Sequence, residues 1–150
     1  MLQFSERMLR FVIWAVIGLL ISGCSPRGES KSVEEVFHLA QDRFNRALEN
    51  SALDDSKRQV LKNIKALVQD FVVSDSSQIL ASLIAEELKK ITHYCHPNTR
   101  TSVFEQIETV ENLKSAQSIQ PNLRFYLGAR VLNILASELE THQFSYTFSG

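Results

Sequence analysis

The sequence predicts an all-α protein, with a single up-and-down bundle of about five helices. Apolar residues recur at three- and four-residue steps from about residue 33 onward, which is the period of a helix with one buried face. Residues typical of helix starts and ends divide this region into five segments. The connections between them, of roughly 3–8 residues, favour antiparallel neighbours and hence an up-and-down bundle.

The first two helices have clear starts. Ser32 and Glu35 form a capping box, in which each side chain satisfies a backbone amide of the first turn. This predicts a helix over 33–49, with its apolar residues on one face. A second helix is predicted over 55–73, because aspartates stand at its start, where the positive end of a helix favours negative charge.

The third helix is predicted to follow a turn at residues 74–77 and to end near residue 95. Pro97 comes next, and the residue before a proline disfavours helical backbone. The predicted inward face of this helix consists of Ile79, Leu80, Leu83, Ile84, Leu88 and Ile91.

The fourth helix is predicted to begin at Ser102, which forms a second capping box with Glu105. Phe104 belongs to its predicted inward face. The fifth is predicted to begin near Pro121, because proline suits the first helical position. These five helices define a bundle domain over residues 32–142.

The N-terminus has the features of an export signal. Arg7 and Arg10 supply positive charge before an unbroken apolar run of eleven residues, 11–21. A membrane-spanning helix needs roughly 20 apolar residues, whereas the core of a signal peptide needs about 7–15. The run therefore predicts a signal peptide, with translation starting at either Met1 or Met8.

The residues that follow, Leu20-Ile21-Ser22-Gly23-Cys24, closely resemble the lipobox of bacterial lipoproteins. The resemblance implies cleavage between Gly23 and Cys24, diacylglycerol on the Cys24 thiol, and usually acylation of the new amino terminus. Residues 1–23 are then the signal peptide. The alternative is a signal cut by the ordinary signal peptidase, with a cysteine at this place by chance.

The lipoprotein resemblance also predicts a location. Aspartate after the lipidated cysteine commonly retains such proteins in the inner membrane, and this chain has Ser25 there, which favours the outer membrane. Residues 24–31 carry the lipid and form a short tether, broken by Pro26 and Gly28. Seven extended residues reach no more than ~25 Å, so the domain is expected to stay close to its membrane.

Charge and cysteine content exclude a basic surface for nucleic acid and an internal disulfide. Without residues 1–23 the chain has 14 Lys and Arg against 16 Asp and Glu, a net charge of −2. This balance offers no basic surface for nucleic acid. Once Cys24 carries lipid, Cys95 has no partner for an internal disulfide.

His93, Cys95 and His96 form a cluster of metal-ligand residue types. Zinc requires three or four converging ligands, but on a helix Cys95 lies about 200° around the axis from His93. We therefore interpret Cys95 as a core residue, and predict no metal and no cofactor. The alternative is that Pro97 unwinds the helix end and lets these groups converge. The adjacent Glu86-Glu87 pair is interpreted as solvated helix surface.

The C-terminal tail, residues 143–150, alternates aromatic and small polar residues. Phe144, Tyr146 and Phe148 are spaced as on one face of a β-strand. An extended tail of this kind is a candidate for pairing with the sheet edge of a partner protein. The alternative is that its aromatic side chains fold back on the bundle or fray.

The expected function is that of a lipid-anchored helical module on the periplasmic face of the outer membrane, which binds or escorts another envelope protein. It is not expected to be an enzyme, because no catalytic set is recognisable. Two alternatives stay open. One is a metal-dependent envelope hydrolase centred on His93 and His96, and the other is a structural or immunity lipoprotein.

Overall fold

All regular secondary structure in the part of the chain that the structure describes is α-helical. The structure is a computed structural model that describes residues 32–75 and 77–146. The helices are α1 (Val33–Glu49), α2 (Asp55–Val73), α3 (Ser77–Thr92), α4 (Pro97–Leu113) and α5 (Pro121–Thr141). The prediction of an all-α bundle of five helices is confirmed. The predicted signal peptide, Gly23, Cys24, the tether and Phe148 lie outside the described residues.

The start of the fourth helix was predicted wrongly. Helix α4 begins at Pro97, five residues before Ser102. The ring of Pro97 has the backbone φ of a helix, and its missing N–H is not needed in the first turn. The ring Nδ1 of His96 accepts the N–H of Asn98 at 3.2 Å and so caps the helix. A proline that was interpreted as a stop to one helix thus starts the next.

The last helix is the centre of the bundle. Helix α5 packs against α1, α2 and α4, whereas α3 packs between α2 and α4. The rings of Phe37 and Phe125, each near the start of its helix, are 5.7 Å apart, so α1 and α5 run parallel. Arg124 Nε, also near the start of α5, donates to the carbonyl of Val72 at the end of α2. Helix α2 therefore runs antiparallel to α5.

These directions give the bundle two distinct ends. At the end where α1 and α5 begin, which we call the lower end, Arg124 Nη1 donates to the carbonyl of Ile119 at 3.0 Å. At the same end Gln78 Nε2, in the first turn of α3, donates to the carbonyl of Ala116 at 3.1 Å. The opposite end, which we call the upper end, contains the α1–α2 and α3–α4 connections and residues 142–146.

Three apolar residues that were predicted to face inward are exposed instead. Ile79 and Leu83 on α3 are 67% and 46% exposed, and Phe104 on α4 is 53% exposed. The buried face of α3 consists of Ser77, Ala81, Ile84, Ala85, Leu88, Ile91 and Thr92. Helix α3 packs chiefly on only two helices, α2 and α4, so less of its circumference is covered than its apolar pattern indicates.

Gly128 lies where side chains of α1 and α2 both pack closely against α5. A Cβ atom on this residue would lie 2.8 Å from Val72 Cγ1, 3.0 Å from Phe37 Cε2 and 3.1 Å from Val68 Cγ1. Two of these contacts come from α2 and one from α1, and all three side chains belong to the buried core. The absence of a side chain at Gly128 therefore lets α1 and α2 pack together on α5.

We expect Gly128→Ala to destabilise the bundle by about 1–3 kcal/mol, because overpacking of a closed core costs this much. The loss is expected to exceed the gain of up to ~1 kcal/mol that alanine brings to a helix interior. Urea unfolding followed by circular dichroism measures the difference. Arg130→Ala, at an exposed site on the same helix, serves as the control and is expected to stay within about 0.5 kcal/mol of the parent. A Gly128→Ala protein more stable than the parent would contradict this packing account.

Candidate functional site

A buried carboxylate organises the upper end of the bundle. Glu138, in the last turns of α5, has no exposed surface. Its Oε1 accepts the N–H of His96 at 3.1 Å, and its Oε2 accepts the N–H of Phe144 at 3.2 Å. A charge taken out of water is tolerated only when hydrogen bonds replace its hydration. Glu138 therefore joins the α3–α4 connection to the C-terminal segment.

The chain reverses direction directly after α5. The amides of His142 and Gln143 both donate to the Glu138 carbonyl, at 2.8 and 2.7 Å. Gln143 and Phe144 then adopt φ values of 53° and 52°, and residues other than glycine adopt such values at a cost in free energy. The turn delivers Phe144 into the core with no exposed surface. Burial of such a side chain contributes about 1.5–3 kcal/mol, which offsets the strained backbone.

The C-terminal segment makes further contacts with the bundle. Lys57 Nζ donates to the carbonyl of Phe144 at 3.0 Å, and the N–H of Tyr146 donates to the carbonyl of Tyr94 at 3.2 Å. The Tyr146 ring lies 4.9 Å from the Arg100 guanidinium carbon, as in a cation–π contact. In this conformation Phe144 is inaccessible to a partner, and Tyr146 packs on the protein's own surface.

Cys95 is a core residue. It has no exposed surface, and its Sγ lies 3.7 Å from the carbonyl of Ile91. Burial raises the pKa of the Cys95 thiol to about 12, and the negative charge of Glu138 acts in the same direction. Because metal binding and nucleophilic attack both need the thiolate, this environment disfavours both.

The histidines near Cys95 do not converge on a common point. His93 is exposed, whereas the ring of His96 is stacked on the ring of His142, with centroids 4.1 Å apart. Residues 32–75 and 77–146 contain no group of three or more His, Cys, Asp or Glu side chains that could hold a metal ion. His142 had no assigned role in the sequence analysis, because no spacing in the sequence connects it with His96.

The adjacent carboxylates on α3 form separate ion pairs. The prediction of a solvated surface fits Glu86, whose side chain is 65% exposed, but is wrong for Glu87, whose side chain is only 16% exposed. Glu86 Oε1 lies 3.5 Å from Lys89 Nζ, and Glu87 Oε1 lies 2.9 Å from Lys90 Nζ. Lys89 also contacts Glu111 of α4 at 2.5 Å, and this hydrogen bond holds the pKa of the Glu111 carboxyl below its usual value. The Lys89–Glu111 pair connects α3 with α4, whereas the other two pairs lie within α3, and these groups show no arrangement for acid–base chemistry.

A polar network connects α1 with the outer face of α5. Arg43 Nη2 donates to Glu140 Oε1 at 2.6 Å and to Ser137 Oγ at 2.9 Å, and Nη1 lies 3.3 Å from Asn133 Oδ1. The hydrogen bond from Arg43 holds the pKa of the Glu140 carboxyl below its usual value. A cavity of about 240 Å³ lies beside this network. Arg43 and Arg46 both border it, and the Arg43 guanidinium is already engaged by Glu140.

Exposed apolar side chains are concentrated near the lower end. Large hydrophobic residues exposed within the described ranges are Val36, Leu39, Val73, Ile79, Leu83, Tyr94, Phe104 and Tyr126. We define the lower apolar ring as Val36, Leu39, Val73, Ile79 and Tyr126. The cross-helix contacts of Phe37, Val72, Gln78 and Phe125, which are sequence neighbours of ring residues, place the ring at this end. None of the described helices is both long enough and apolar enough to cross a membrane.

Comparison with known proteins identifies no relative. No family model matches the chain, and no curated protein or solved structure matches it. The proposed function therefore rests on the chemistry of the residues alone.

We expect Glu138→Gln to destabilise the bundle by about 1–3 kcal/mol. The amide side chain has one oxygen, so one of the two N–H groups that Glu138 satisfies is left buried without an acceptor. Urea unfolding and hydrogen exchange at the Phe144 amide measure the effect. Glu140→Gln, two residues along the same helix, breaks an exposed ion pair and is expected to cost no more than about 1 kcal/mol. Equal losses in the two variants would show that burial of Glu138 has no special role.

Proposed function

We propose that the chain is a lipoprotein whose helical bundle is held at a membrane by lipid on Cys24. In this proposal the bundle lies on the periplasmic face of the outer membrane and binds or escorts another envelope protein. The lipobox-like run that ends at Cys24 is the single observation that carries the anchoring step. Its support is independent of the bundle, because the motif lies outside the described residues.

The use of polar groups within the bundle supports a binding role. At the upper end the Glu138 carboxylate is occupied by two backbone amides, and the Cys95 thiol is buried and protonated. These groups serve the fold and are not free for chemistry on a substrate. The surface of the described residues instead exposes apolar side chains among charged ones. Surfaces of that composition are typical of sites that contact other macromolecules.

We place the partner on the outer side of α3 and α4. Leu83 and Phe104 are exposed on these neighbouring helices, and the exposed Glu105 follows Phe104 on α4. Exposed apolar side chains beside a carboxylate suit an amphipathic helix that carries basic residues beside its apolar face. Apolar contact then supplies affinity, and opposite charge supplies orientation.

The anchoring step predicts that labelled palmitate enters the parent chain and a Cys95→Ala variant, but not a Cys24→Ser variant. The Cys24→Ser chain is also expected to be lost from the outer-membrane fraction, because only the Cys24 thiol is available for the lipid. Radiolabelling followed by density fractionation of envelopes measures both effects. Palmitate in Cys24→Ser, or none in the parent chain, would contradict the proposal.

The binding step predicts that a photo-crosslinking residue at position 104 captures one discrete envelope protein in intact cells. The same residue in place of Lys62, an exposed polar site on α2, is the matched control and is expected to capture none. Adding Leu83→Ser, which removes apolar surface from the neighbouring helix α3, is expected to weaken the crosslink. Equal capture from positions 62 and 104 would show that α3 and α4 carry no specific partner site.

A further inference from the structure

We propose that the lower end of the bundle itself seats on the lipid surface, through the lower apolar ring. This inference rests on the proposed lipid anchor and assigns a second contact with the same membrane. The ring comprises Val36, Leu39, Val73, Ile79 and Tyr126, which are between 38% and 71% exposed. The bound surface is the interface of a bilayer, and the contact is apolar.

The ring lies close to one end of the bundle, which is the part that would contact a flat membrane first. Val36 is in the first turn of α1, Val73 is the last residue of α2, and Ile79 is in the first turn of α3. At 1.5 Å per residue, these three residues lie within about 5 Å of the ends of their helices. Side chains that enter a bilayer interface reach a depth of about 5–10 Å. The end of the bundle can therefore insert them without unfolding a helix.

Connectivity brings this end toward the anchor. Residues 25–32 separate Cys24 from Val33, the first residue of α1. Eight residues extend to at most about 30 Å. The upper end is farther away by the length of α5, whose 21 residues span about 30 Å. Lipid on Cys24 therefore concentrates the lower end near the headgroups.

The side chains of the ring suit an interface. Val73 and Ile79 are 71% and 67% exposed, the largest values among the exposed large hydrophobic residues of the described chain. Tyr126 combines an apolar ring with a hydroxyl, a combination enriched where membrane meets water. The exposed charged groups near this end are of both signs, including Glu34, Asp75 and Lys114. Attraction to anionic lipid is therefore a small part of the contact.

The experiment replaces the biological lipid with a chemical one. The processed chain, residues 24–150, is coupled through Cys24 to a maleimide lipid in phosphatidylcholine vesicles. Residues from Val33 onward form one compact unit with its own core, so this chain is expected to fold. Cys95 is buried and therefore does not compete for the maleimide. Trp14, the one tryptophan of the sequence, is absent from residues 24–150.

Tryptophan reporters then compare two exposed sites. Ile79→Trp lies in the ring, and Phe104→Trp lies nine residues before the end of α4, about 14 Å along the helix from that end. On coupling, Ile79→Trp emission is expected to move to shorter wavelength and to be quenched by brominated lipid. Phe104→Trp emission is expected to stay unchanged. Adding Val73→Asp to Ile79→Trp is expected to abolish the quenching.

Equal emission and equal quenching at the two sites would overturn the proposal, as would quenching that appears only with anionic lipid and disappears in high salt. Circular dichroism of each variant establishes that the bundle is folded. Because Cys24 is coupled chemically, the result is independent of lipidation in the cell. A failure of palmitate labelling would remove the biological anchor while the vesicle result still reported the affinity of the ring for lipid.

Discussion

The whole bundle depends on the burial of its last helix. Helix α5 is covered by α1, α2 and α4, and its central residues Leu132, Leu135 and Ala136 have no exposed surface. Helix α1 packs chiefly on α5, so the first and last helices are held by each other although they are far apart in sequence. The missing side chain at Gly128 makes this arrangement possible, because it allows α1 and α2 to meet over the same turn of α5.

The buried carboxylate has a complementary role at the upper end. Apolar contact along α5 sets which helices are neighbours, but it does not specify where the chain reverses. Two directional hydrogen bonds to Glu138 do so, because they fix the amides of His96 and Phe144 relative to one helix end. A glutamate in a cleft would indicate acid–base chemistry, whereas Glu138 stabilises the α3–α4 connection and the turn after α5. This explains why residues typical of active sites are gathered around Cys95 without forming a reactive group.

The sequence was sufficient to predict the helices and insufficient to predict which of their residues are buried or in contact. Periodicity and capping residues predicted α1 and α2 to the residue, because both signals are local. The start of α4 was missed because a proline disfavours helical backbone in the residue before it but also suits the first turn of a following helix. The exposure of Ile79 and Phe104 was missed because an apolar pattern shows which residues can be buried, whereas the number of neighbouring helices decides which are. The role of Glu138 depends on contacts with positions 96 and 144, which no local pattern reveals.

The central position of α5 has a consequence for how the protein is made. A polypeptide emerges from the ribosome with its N-terminus first, and α1 then lacks its main packing surface until α5 has been synthesised. Contacts of such long sequence separation close slowly. An unfinished chain therefore leaves α1 without its main contact, although α2, α3 and α4 can already pack on one another.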